Sequence, residues 1–302
     1  MLALAIPVRF SNLSSYACHF RWLVPPKCPF VTTPHVVEPQ CPGVVERYID
    51  LSQYYDHSGL QPLKEDILAA ASEYQGHYKR VYRCLGAAGE LRRDMNELVD
   101  TEPVRKRLGK RAAGIISREL KRPPQGGGRA EQRFLSAVTH KGAITLWDTV
   151  SAQADRVYEL AGGYGLAHHM LAPILTAALA AGHDAVACPD PMAPDRLAHL
   201  IFPGLALAFV TSTQEDPWPH RAYRRLRLDA MADTEAYRLN RPRLRFTKRV
   251  AAALLDEGVA GLSQAKEAHD RLEGLYNPYV DFDGVARMAD QVADQVLALK
   301  DE

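Results

Sequence analysis

Gly162, Gly163, Tyr164, Gly165, Leu166, Ala167, His168 and His169 are the residues whose types and spacing say most about chemistry. A glycine loop of this length between an apolar strand and an apolar helix has the layout of a phosphate cradle, with backbone N–H groups of the loop and helix start aimed at the anion. A complete cradle reads Gly, four residues, Gly, Lys, then Ser or Thr, because the Lys adds charge and the hydroxyl holds Mg²⁺. Here those last three positions are Ala167, His168 and His169. Losing the Lys removes a charge-assisted contact of about 1.5 to 3 kcal/mol, or roughly ten- to a hundredfold in affinity. His168 replaces part of it only when protonated, a minority state at neutral pH for an unperturbed imidazole. His169 lacks the hydroxyl oxygen that Mg²⁺ prefers, so Mg²⁺ binding is doubtful. Ala167 adds a cost of about 1 kcal/mol if the backbone there needs φ > 0.

Two residues outside the loop join it as candidates. Asp190 follows the strand-like run Asp184 to Cys188, at the edge where α/β proteins bind ligands, and Lys141 stands in a turn ahead of the loop's strand. Asp190 suits a metal-bound water or a ligand amine; the plainer alternative is a cap on the following helix. Adjacent His168 and His169 suggest a metal pair, but neighbours on a helix diverge, so no metal centre is expected. A third strand ends in Thr211, Ser212 and Thr213, where a triphosphate-hydrolysing enzyme places a metal-holding Asp. Asp195, just after Pro194, reads as a helix N-terminus.

The elements that position these residues are legible in the apolar pattern. Arg156 to Gly182 predicts strand, glycine loop and apolar helix. Asp184 to Cys188 and Leu205 to Val210 are near-continuously apolar, as parallel strands covered on both faces are. Phe134 to Thr139 predicts a strand before them, followed by a His140–Gly142 turn and a helix through ITLWDTVSAQA. Strand, loop, helix, strand, turn and helix, strand is an α/β signature, a parallel sheet flanked by helices. Beyond it the chain reads as helical, with one periodic set from Val250 to Leu275 and another from Phe282 to Leu299, broken at Asn277 and Pro278.

Upstream, Leu63 to Leu98 carries apolar residues at three and four, the period of one long helix or a broken pair. Tyr74, Tyr78 and Tyr82 at this spacing suit core packing better than base stacking. Basic residues dominate Thr101 to Arg133, but no aromatic interleaves with them before Phe134, so a solvated helix face is the expectation and nucleic-acid binding the weaker alternative. Met1 to Phe30 shows no clear pattern, and a proline-punctuated connection follows from Val31.

The 302 residues, 47% hydrophobic and 24% charged, bury a sizeable core. A net charge of +1 gives no global pull toward polyanions. Cys18, Cys28, Cys41, Cys84 and Cys188 form no C-x-x-C pair, which points to a reducing cytoplasm rather than a disulfide framework. The start lacks a basic region before its apolar run, and Met170 to Ala181 is too short to span a bilayer, so no membrane partner is expected.

FVTTPHVVEP at Phe30 and FVTSTQEDPWPH at Phe209 form a weak internal echo. Together with FLSAVTHKGAITLWDTV, ACPDPMAPDRLAHLIFPGLALAFVTS and AKEAHDRLEGLYNPYVDFD, the chain from about Val31 onward resembles a bacterial tandem P-loop family of ATPase or nucleotide-kinase-like proteins, built from two homologous halves. Members place a GxPGTGKST loop where this chain has Gly162 to Met170, and only two glycines carry over. The resemblance implies a helix-rich remnant of the first half over 1–122, a linker at 123–130, and a P-loop NTPase-like domain over 131–302. It also implies a first P-loop ahead of Val31 that nothing in Met1 to Phe30 matches, hence a truncated or frame-altered start. The missing half or a second copy of the chain is then a candidate partner. The function implied is a pseudoenzyme: weakened ATP or nucleotide phosphate binding with little hydrolysis. The alternatives are a non-catalytic interaction or scaffold protein, or a truncated gene product.

Overall fold

The computed structural model describes residues 19–23, 30–32, 48–120 and 127–298. Cys18, Cys28, Cys41, most of the connection after Val31 and the linker prolines Pro123 and Pro124 lie outside the described residues. In chain order the strands and helices are β1 (His19–Leu23), β2 (Phe30–Thr32), β3 (Tyr48–Asp50), α1 (His57–Leu60), α2 (Lys64–Val99), α3 (Glu102–Glu119), β4 (Ala130–Gln132), β5 (Ser136–Thr139), β6 (Gly142–Thr145), α4 (Trp147–Ser151), β7 (Arg156–Ala161) and α5 (His168–Ala180). Then come β8 (Ala185–Asp190), β9 (Ala193–Phe202), β10 (Leu207–Ser212), β11 (Arg224–Arg227), α6 (Thr234–Tyr276) and α7 (Phe282–Ala298).

The chain divides into two compact units, one of residues 74–267 and one of 1–73 with 268–302. The division falls inside α2 and α6. In the second of these units β1 pairs antiparallel with both β2 and β3. Ile67, Ala71 and Leu272 are buried together there, with Leu63 and Leu275 packed on them. Asp56 caps α1 by accepting from Ser58 and Gly59 N–H, and its own N–H donates to Tyr279 O at 2.8 Å.

The unit of residues 74–267 holds the six-stranded sheet, in the order β11-β7-β10-β9-β8-β4. Only β9 runs against the others, through antiparallel pairs with β8 and β10; β7, β10 and β11 are parallel, as are β4 and β8. Strand alternation sends Tyr158, Leu160, Leu200, Phe202, Leu207 and Phe209 to one face, against Val104, Leu108, Ala112 and Ile115 of α3 and Met170, Leu171 and Ile174 of α5. Val157, Ile201, Ala208 and Val210 face the other way, onto Val150 of α4 and Trp218. Burial on both faces is why these strands read as unbroken apolar runs. The basic stretch after Thr101 is largely the outer side of α3, where Arg105 and Lys106 pair with Glu102.

Several elements differ from expectation. The turn and helix predicted after β8 form the β8–β9 hairpin instead, so Asp195 is not at a helix N-terminus; it sits exposed on β9, 3.7 Å from Arg93. Leu197, Leu200 and Ile201 fit a helical period as well as a strand, and burial of Leu200, Ile201 and Phe202 inside the sheet decides for the strand. The predicted helix through ITLWDTVSAQA shortens to Trp147–Ser151, because Gly142–Thr145 pairs with β5 in a separate two-stranded sheet. Strands β4 and β11 lie in stretches with no apolar alternation. Both are edge strands held by main-chain pairing, and Arg224, Arg225 and Arg227 blunt the β11 edge. The Leu63 to Leu98 pattern is one continuous helix, in which Tyr74 is buried while Tyr82 is 57% exposed.

Candidate phosphate-loop site

The strand, glycine loop and helix form as predicted, at the carboxyl edge of β7, β10 and β11. Gly162 N–H donates to Ser212 O at 3.0 Å. Gly163 N–H donates to the carboxylate of Asp229, 3.1 and 3.0 Å from its two oxygens. Asp229 follows β11 in a short 3₁₀ turn. Lost solvation against the loop pushes the Asp229 carboxyl up from its ordinary value, opposed by the backbone N–H groups of Gly163 and Tyr164 and by the charge of Lys248. Gly163 N–H therefore already holds an anion, supplied by the chain itself.

The glycines serve this arrangement. A Cβ at Gly162 would come within 2.7 Å of Asp229 Oδ1 and 3.1 Å of Leu228 Cβ, so close approach of the β11 turn requires glycine there. Gly165 has φ +68°, the left-handed region that glycine enters without strain. Tyr164 O accepts from Asn96 Nδ2 at 2.7 Å, and Asn96 Oδ1 accepts from Arg196 at 2.6 Å, so a buried amide of α2 clamps the loop.

The next positions do not face a ligand. Leu166 and Ala167 are buried in the core between α3, α5 and the sheet. Ala167 has φ −57° and ψ −36°, right-handed helical geometry, so the cost anticipated for it is absent. His168 Nδ1 accepts from Leu197 N–H at 3.0 Å. Burial, then the neighbouring His169 and Arg196, hold its pKa below the ordinary value. It is thus neutral near pH 7 and does not replace the Lys, for a protonated Nδ1 would lose that acceptor role. His169 Nε2 lies 2.8 Å from Asp100 Oδ2. The two imidazole rings are 6.0 Å apart and turned 65° from each other, and each has one ring nitrogen engaged within the protein.

Asp190 ends β8 and does not cap a helix. Its Oδ1 accepts from Met192 N–H at 2.8 Å, closing the hairpin turn, and its Oδ2 lies 3.3 Å from Arg92. A small open groove brings it together with Gly163, Tyr164, Gly165, Arg92, Arg93, Asn96 and Arg196. Lys141 is not part of it: the residue is exposed at the β5–β6 turn, where its N–H donates to Thr139 Oγ1.

Sequence reasoning missed Asp229, Asn96, Arg196 and Glu159. Asp229 carried a readable signal, a carboxylate just past a strand at the ligand edge, but β11 was not recognised as a strand. Ser212, where a metal-holding Asp was looked for, donates to the buried Glu159 at 2.6 Å, and Arg225 lies 3.3 Å from Glu159 on its other oxygen.

A second polar chain crosses the opposite face. His199 Nδ1 accepts from Thr211 N–H at 3.2 Å, which places the ring proton on Nε2, 3.2 Å from Ser136 Oγ. Ser136 and Thr145 hydroxyls are 2.9 Å apart, and Thr145 donates to Asp216 at 2.6 Å. Full burial lowers the His199 pKa to about 4. A buried imidazole that donates to Ser136 is not its general base, so this chain is structural rather than a nucleophile pair. Cys188, buried nearby, has its thiol pushed up to about 12 and is unreactive. In the other unit, His269, Asp270 and Glu273 present metal-capable atoms within 4.8 Å of one another, two of the three residues being exposed. No described helix is long and apolar enough to cross a membrane. No protein family, curated protein or solved structure matches the chain.

Proposed function

We propose that this chain is a non-catalytic member of the tandem P-loop family, a pseudo-NTPase whose phosphate cradle is closed by its own Asp229. The observation that carries the reading is the Asp229 carboxylate on Gly163 N–H. A phosphate entering the loop must displace this anion or sit beside it, and two like charges at hydrogen-bond distance from one donor repel. The side chains that would compensate are gone: no Lys stands at the helix start, His168 is neutral, and Ser212 is engaged with Glu159. Strand, loop and helix support the resemblance to the family, while the chemistry at each side-chain contact argues against hydrolysis. The protein then acts by binding, as an interaction or scaffold module.

The test is titration of ATP and ADP with and without Mg²⁺, on the natural chain and on a variant carrying Asp229→Asn, Ala167→Gly, His168→Lys and His169→Ser. The expected outcome is no binding by the natural chain at millimolar nucleotide and measurable affinity in the variant. Sub-millimolar ATP affinity or phosphate release by the natural chain would overturn the reading.

A further inference from the structure

Between Glu235 and Asp256, α6 carries no acidic residue and six cations: Arg238, Arg241, Arg243, Arg245, Lys248 and Arg249. Three of these are matched, Arg238 by Glu235, Arg243 by Asp94 and Lys248 by Glu215. Arg241, Arg245 and Arg249 are exposed and make no ion pair with any described residue. Four apart, they stack into one stripe along the helix. Leu239, Pro242 and Phe246 form the adjoining stripe, where Leu239 is 65% and Phe246 61% exposed. The opposite side, through Leu244, Thr247 and Ala251, is buried in the protein. The outward face is therefore an unpaired guanidinium ladder beside an exposed aliphatic and aromatic ridge.

We infer that this face of α6 docks on an anionic lipid surface. Charge complementarity requires a negatively charged partner, since the ladder has no carboxylate of its own to face. The shape of the patch selects among such partners. Leu239 and Phe246 stand on the outside of a helix, so they offer a ridge and not the groove that an acidic peptide helix would fill. A nucleic-acid backbone would use the arginines but give Leu239 and Pro242 nothing to contact, and the two exposed aromatics, Tyr237 against Tyr164 and Phe246 nine residues further along the helix, make no continuous stacking platform. Bilayer headgroups use both stripes at once: guanidinium groups meet lipid phosphate and carboxylate while Leu239 and Phe246 enter the acyl boundary. Binding of this kind is peripheral and needs no spanning helix. It is independent of the reading of the glycine loop.

The experiment is co-sedimentation of the full chain with phosphatidylcholine vesicles, with and without about one-third phosphatidylserine. Binding is expected only with phosphatidylserine and should weaken as salt rises. Arg241→Glu, Arg245→Glu and Arg249→Glu together should weaken it roughly a hundredfold, and Leu239→Ser with Phe246→Ser roughly tenfold. Replacing the three arginines by Lys should retain it. Circular dichroism on each variant confirms that it folds. Failure of the natural chain to sediment with phosphatidylserine vesicles at low salt would overturn the inference, as would charge-reversal variants that bind like the natural chain. Tight binding of a single-stranded oligonucleotide that survives Leu239→Ser and Phe246→Ser, without vesicle binding, would assign the face to nucleic acid instead.

Discussion

Two surfaces of residues 74–267 carry groups suited to an anion, and they differ in what the chain has done with them. In the glycine loop Gly162 N–H is taken by Ser212 O, Gly163 N–H by Asp229 and the Tyr164 carbonyl by the Asn96 amide. On α6, Arg241, Arg245 and Arg249 have no such internal partner among the described residues. The lesson is that a loop's shape does not make a binding site; what remains unsatisfied after folding does. Groups consumed inside the protein contribute to stability, and groups left outside are available to a partner.

Measurements of stability and of binding separate the two surfaces. The largest effect belongs to the buried polar chain. His199 has its pKa lowered from 6.5 to about 4, so the folded state binds fewer protons than the unfolded state between those values. Stability from this group is complete above pH 6.5 and falls as pH drops toward 4, by about 3 kcal/mol in all. Chemical denaturation across this range should show the loss, and His199→Gln should flatten that part of the profile. A profile unchanged by the substitution would remove His199 as its origin.

The loop comes next. Asp229→Ala removes the acceptor for Gly163 N–H, with an expected loss of about 1 kcal/mol because the carboxylate borders solvent. A urea melt measures it, and an unchanged midpoint would mean that water replaces the carboxylate without penalty. The smallest effect is on the outer face of α6. Leu239→Ser and Phe246→Ser should each shift stability by less than about 0.5 kcal/mol, as exposed side chains away from special features do. A larger loss would show that these side chains pack against the protein, and the contrast with the loop would fail.

Much of the fold was legible because burial writes itself into the apolar pattern. Strands β7, β8 and β10, helices α2, α5 and α7 and the break at Asn277 each stand close to where the pattern predicted them. What escaped detection had a common cause. Strands β4 and β11 sit at sheet edges with few apolar residues, and only pairing with β8 and β7 makes them strands. The stretch after Asp190 satisfied two periods at once, and the sheet chose between them. At the candidate site, Gly163, Gly165 and Asp190 line one groove, whereas Lys141 belongs to the β5–β6 turn.

By itself the sequence determined the α/β class, the strand, loop and helix grammar around Gly162, and that no Lys or hydroxyl side chain stands at positions 168 and 169, since each is a property of residue type and local spacing. Only tertiary structure decided that Asp229, 66 residues beyond Gly163, would sit on Gly163 N–H, that Asn96 would clamp Tyr164, and that His168 Nδ1 would accept from Leu197 N–H. Such pairings depend on which strands become neighbours in the sheet, and β11 lies beside β7 through hydrogen bonds that leave no mark on the pattern of side chains. The same holds for the face of α6: its cations are plain in the text, but which of them lack a partner is known only once the chain has folded.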